Sequence, residues 1–521
     1  TISANATNNG GISQKVNVNS GVTLTNNAAL GSDSGVVTNS GTINTSASNI
    51  KGAVTNNNTV NLSGGTLAKA ISGSGTTNIT GIVSSNSAIS QAISIASAGD
   101  LTISASNVGG NVTNAGDLIL NGGTLSKAVT GSGKTSITGA VTANSAISQA
   151  ISIAASGDLT ANAGNIGGAV TNAGDLILTG GTLTKGVTGA GSTSITGAVT
   201  ANSAISQTIS ISSSGDLTAN AGNIGGAVTN AGDLILTGGT LSKAVSGAGL
   251  TTITGNTTNS GGINQGVKVN SGITLTNNAA LGSASGSVTN AGTINSSADN
   301  IKGTVSNTGS LNLSGGTLSK AVSGNGTTTI SGNTTNNAGI NQGVNVNSGV
   351  TLTNNAALGS DNGKITNAGT INTNANNIKG AVTNNNALNL SGGTLSKAVS
   401  GSGTTNITGA VTSNSAISQA INIIAAGDLT ISAGNIGGAV TNAGDLILTG
   451  GTLSKVVSGA GLTTISGNTT NNGGINQAVK VNSGVTLANN AALGSANGAI
   501  TNAGTINSNA DYIKGTVANS G

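Results

Sequence analysis

Ala169-Val-Thr-Asn-Ala-Gly-Asp-Leu-Ile-Leu-Thr-Gly-Gly-Thr-Leu-Thr-Lys185 is the stretch whose reading decides the fold. Its aliphatics Val170, Leu176, Leu178 and Leu183 come in short bursts separated by Gly, Asn and Thr. Leu176 and Leu178 alternate as one face of a strand does. Gly174, Gly180 and Gly181 suit corners that need a positive φ or a close backbone approach. No apolar stripe at i, i+3, i+4, i+7 persists long enough for a helix, and each Gly would cost a helix roughly 1 kcal/mol. The stretch reads as one turn of a parallel coil.

Outward from that turn, the same ending recurs. Gly-Gly-Thr-Leu-x-Lys places lysines at Lys69, Lys127, Lys185, Lys243, Lys320, Lys397 and Lys455, at intervals of 58, 58, 58, 77, 77 and 58 residues. The glutamines Gln14, Gln91, Gln149, Gln207, Gln265, Gln342, Gln419 and Gln477 keep the same two intervals. Cassettes that differ by 19 residues imply an elementary unit of about 19, three to the short cassette and four to the long one. Cut in this way, the chain becomes an all-β fold, a single long parallel β-solenoid continuous over 1–521, with 26 full coils and a partial coil at each end. At about 4.8 Å per coil the expected rod is roughly 125 Å long. Equivalent pairs such as Thr171-Asn172, Thr229-Asn230 and Thr289-Asn290 are expected to form ladders along the axis.

Stacking is obligatory. One unit buries about four aliphatics at on the order of 1.5–3 kcal/mol each, against roughly 1.5 kcal/mol for ordering each of its residues. Only neighbours above and below can make up the difference.

Composition narrows the function. The 521 residues include 86 Gly but no Pro, Cys, Met, Phe, Trp or His, and Tyr512 is the one aromatic. All 16 basic residues are Lys and all 12 acidic ones Asp. With a net charge of +4 spread so thinly, there is no basic patch for nucleic acid. No stretch reaches the 18 or so apolar residues of a membrane span, and the absence of Cys removes any disulfide framework. The chain opens at Thr1 instead of Met, as a processed or excerpted one would.

Units of about 19 residues rich in Gly, Asn, Thr and Ala, with strands opening Val170-Thr-Asn-Ala-Gly-Asp-Leu176 and Val288-Thr-Asn-Ala-Gly-Thr-Ile294, resemble passenger regions of bacterial autotransporters and filamentous-haemagglutinin-like adhesins. The resemblance covers the whole chain, in composition and period. It implies a right-handed, three-sided β-helix, secretion to the cell surface or beyond, and an adhesive or biofilm-matrix role.

Few residues offer chemistry. Gly-Asp-Leu phrases on adjacent coils pair Asp100 with Asp117, Asp158 with Asp175, Asp216 with Asp233 and Asp428 with Asp445, which sets two carboxylates about 5 Å apart. Such a pair could hold a calcium ion weakly or form a glycosidase-like couple; a solvated corner with screened charges is the preferred reading. No His, Glu, Arg or Cys is present to complete an acid–base, nucleophilic or transition-metal site, so no catalytic residue and no cofactor is expected. Gly131-Ser-Gly-Lys134-Thr135 ends as a phosphate loop does, but Ala128 replaces its first Gly. The lysines read as solvated corners that keep the rod soluble, with a stripe for anionic polysaccharide or a membrane surface as the alternative. The glutamines read as corner hydrogen-bonders.

The expected function is therefore structural, as an extracellular rod in an adhesin shaft or matrix fibre. The alternative is a surface module binding glycans directly, or ice through Thr-x-Thr ranks such as Thr23-Leu-Thr25 and Thr252-Ile-Thr254. Val517-Ala-Asn-Ser-Gly521 followed by Thr1-Ile2-Ser3 nearly repeats Val37-Thr-Asn-Ser-Gly-Thr-Ile-Asn44. Copies abutting end to end, or the same chain continuing, are the expected partners.

Overall fold

A computed structural model describes all residues, Thr1–Gly521. They form two compact units, Thr1–Gly262 and Ile263–Gly521, and each is a parallel β-solenoid. The quoted stretch is one turn of the first. Its strands Val170–Asn172, Asp175–Leu178 and Gly181–Leu183 lie on three successive faces. The turn closes where Val187 pairs beside Val170. Val170, Leu176, Leu178 and Leu183 point inward and are essentially inaccessible, so the alternation read from the sequence is the alternation of the coil wall.

Two demands on glycine follow from that stacking. Gly181 has φ +86°, and a Cβ there would stand 2.1 Å from Asn162 Oδ1 on the turn below. Gly174 has an ordinary φ, but a Cβ would lie 2.0 Å from the carbonyl oxygen of Gly157. The first glycine serves conformation and packing together, the second packing alone.

Register corrects the cassette arithmetic. In the first unit, face A stacks Val54, Ile71, Ile89 and Val108. Face B stacks Val60, Thr77, Ile93, Val112 and Val129, and face C stacks Gly65, Val83, Leu101 and Leu118. Val112 is the repeat of Val54 one short cassette later, yet it sits on face B. A 58-residue cassette thus makes three turns plus one face. The second unit repeats this with the long cassette. Val305 stacks with Val322, Ile340, Leu358 and Ile378, while its repeat Val382 stacks with Thr328, Val344 and Ile365 on the next face. The 77-residue cassette makes four turns plus one face. That surplus face brings the total to about 30 turns in place of 26. The expected ladder between Thr171-Asn172 and Thr229-Asn230 does not form for the same reason. Thr171 is flanked by Ser152 and Thr188, and Thr229 by Ser210 and Ser246.

Each cassette also holds one short 3-10 turn, such as Ala105–Asn107, Ala163–Asn165 and Ala221–Asn223. A Gly-Gly strand rides over it: Ala105 N–H donates to the Gly122 carbonyl (2.7 Å), and Thr124 N–H donates to Ser106 Oγ (2.9 Å). One ladder stops at this turn and a fresh one begins on the same face, so the interruption also moves one face per cassette.

Candidate functional site

The Asp pairs are brought together as the spacing predicted. Asp100 pairs beside Asp117, Asp158 beside Asp175, Asp216 beside Asp233 and Asp428 beside Asp445. All of these side chains are partly or fully exposed. Their surroundings differ: the next residue up is Lys134 over Asp117, Ser192 over Asp175 and Leu250 over Asp233. Ser192 Oγ donates to Asp175 Oδ1 at 2.6 Å. Because the cassette precesses, the first three pairs stand on faces C, A and B in turn. Each is two carboxylates at a water-exposed corner, short of the six or more oxygens calcium prefers.

Lys134 opens the strand Lys134–Ile137, and another strand, Ala140–Ala143, follows. A phosphate loop would require a helix there. Two other lysines are engaged otherwise than expected. Lys69 reaches Asp33 and Lys397 reaches Asp361, each 36 residues away across two turns. The hydrogen bond from the ammonium, and then its charge, hold both carboxyls below the usual carboxylate range. These pairs are largely exposed, so water and salt screen them.

Seven of the eight glutamines are buried and are not corner residues; Gln14 is exposed. Gln149 and Gln207 are 4% exposed and point into the coil. Asn172, Gly189 and Gln207 lie on three successive turns of one face. The glycine leaves its level empty, so Gln207 reaches past it. Gln207 Oε1 accepts from Asn172 Nδ2 (2.9 Å) and from Thr193 Oγ1 (2.9 Å). Gln207 Nε2 has no partner. In the sister cassette Gln149 Nε2 donates to Thr135 Oγ1 at 2.6 Å, and Gln149 Oε1 is the atom left over. The recurrent spacing of Gln was visible in the sequence, but its direction was not, since Gln is ordinarily an exposed residue.

One further surface was not anticipated. Asn44, Asn61 and Asn78 face outward on consecutive turns. Asn61 Nδ2 donates to Asn44 Oδ1 (2.7 Å), and Asn78 Nδ2 to Asn61 Oδ1 (2.7 Å). The second unit repeats the ladder from Asn406 through Asn389 to Asn372 (2.7 and 2.6 Å) and from Asn312 to Asn295 (2.7 Å). Beside each ladder runs a corner groove, about 650, 500 and 380 Å³ in volume, lined wholly by Ser, Thr and Asn. Thr-x-Asn recurring 17 residues apart, at 42–44, 59–61 and 76–78, was the available signal.

The chain matches no family model, no curated protein and no solved structure. No helix is long and apolar enough to cross a membrane.

Proposed function

We propose that this chain is a passive scaffold, a stretch of shaft in a cell-surface adhesin or matrix fibre of the autotransporter or filamentous-haemagglutinin kind, working outside the cell and without catalysis. The observation that carries the reading is the one-face advance of each cassette. Equivalent side chains, the Asp pairs among them, are distributed over all three faces, as suits a support alike on every side. A catalytic or ice-binding surface would instead gather its groups on one face. End-to-end association of copies belongs to the same proposal, because a parallel ladder that stacks coil on coil within a chain can do so between chains. Immunogold electron microscopy of the native source tests it. Label along filaments outside the cell is expected, and label confined to the cell interior would overturn it.

A further inference from the structure

We propose that the amide-lined grooves are docking sites for a neutral polysaccharide chain lying along the coil axis. The lining decides the chemistry. It offers only amides and hydroxyls, with no charged and no aromatic side chain. In the ladder, Asn61 spends one N–H on Asn44 and receives one from Asn78. An amide has two N–H donors and two acceptor sites, so an interior rung such as Asn61 or Asn389 keeps one donor and one acceptor, and an end rung one more. These recur at the coil rise of about 4.8 Å. A sugar hydroxyl both donates and accepts, and a polymer of sugars presents such groups at a regular step along one line. A polyanion would find no cation in the groove, and an apolar ligand would find no aliphatic or aromatic residue.

The molecule also holds its own control. At the position of Asn61 the sister cassettes carry Ile119, Ile177 and Ile235 in the first unit and Ile447 in the second. Each has the same outward place in its strand. The backbone therefore accepts isoleucine there.

The site goes beyond the scaffold role, which would stand unaltered if the site failed. Affinity electrophoresis of the full chain through gels containing dextran, mannan or a soluble β-glucan tests it, with polygalacturonate as the charged control. The wild type is expected to be retarded by at least one neutral glycan, equally at low and high salt. The triple variant Asn61→Ile, Asn312→Ile, Asn389→Ile is expected to lose at least ten-fold in apparent affinity while keeping its β circular dichroism. No retardation by any of the three neutral glycans would overturn the proposal. So would equal retardation of the variant, or retardation by polygalacturonate alone that disappears at high salt.

Discussion

The turns inside a four-turn cassette and those inside a three-turn cassette, each counted from glutamine to glutamine, share one backbone and differ on both sides of the wall. Inside the four-turn kind, Asn39 and Asn56 form a buried ladder, Nδ2 to Oδ1 at 2.6 Å, and Asn44, Asn61 and Asn78 form a second ladder outside. Inside the three-turn kind the buried Asn114 or Asn172 has isoleucine below it, Ile95 or Ile153. Glycine stands above the topmost inner Asn of both kinds, Gly73 over Asn56 and Gly131 over Asn114. Outside come Asp100 and Asp117, with Ile119 in the place of Asn61. The difference teaches that the coil fills most inward strand positions with aliphatics and leaves the amide positions to vary in sets. Where an inner Asn has an Asn neighbour, the ladder satisfies it. Over glycine, Gln207 reaches two turns to Asn172, while Asn114 is satisfied by the Lys134 carbonyl and the Gly116 N–H.

The sharpest way to break this comparison is to remove a rung of the inner ladder. Asn56→Ala leaves Asn39 Nδ2 without its side-chain acceptor and frees the carbonyls of Asn58 and Thr76. A loss of about 3 kcal/mol is expected in denaturant unfolding, since buried polar groups left unmade cost about 1–3 kcal/mol. Next comes the reaching glutamine. Gln207→Ala should cost about 2 kcal/mol, because Asn172 and Thr193 both lose their acceptor. Gln207→Met fills the same space, removes the unpaired Nε2 and should cost about 1 kcal/mol less. Equal losses from the two variants would mean that the filled volume contributes nothing beyond the amide.

Exchanging the outer residues should move stability little. Ile119→Asn and Asn61→Ile are each expected to stay within about 0.5 kcal/mol of wild type by chemical denaturation. The smallest effects belong to the charges. Calcium should leave the melting temperature unchanged, since each Asp pair supplies only two carboxylates. Asp33→Asn should also leave it unchanged, as the pair with Lys69 is solvent-screened. Asp33 itself should titrate below an ordinary Asp when followed by NMR. The sign follows from that direction: whatever the pair contributes is present at neutral pH and is lost as pH falls through the lowered pKa.

Much of this was legible beforehand. The inward set Val170, Leu176, Leu178 and Leu183, the Gly-Gly corner and the side-by-side Asp pairs all follow from period and alternation, because stacking makes them local properties of one turn. The surplus face was not legible. Cassette length shows how many residues separate two equivalent strands, but not how many faces they cross. Strands vary from two residues to nine, and each cassette interposes a 3-10 turn such as the one around buried Ala105. The inward glutamine was hidden for a related reason, since only the register places Gly189 between it and Asn172.

The one-face advance carries most of the functional reading, and a distance can test it directly. Thr113 and Thr171 are outward-facing repeats one cassette apart in the first unit, on faces B and C. Spin labels at these two positions, measured by pulsed electron paramagnetic resonance, should lie roughly 25 Å apart, combining an axial rise of about 16 Å with a step round the coil. A distance of about 14 Å, three rises along a single face, would contradict the account.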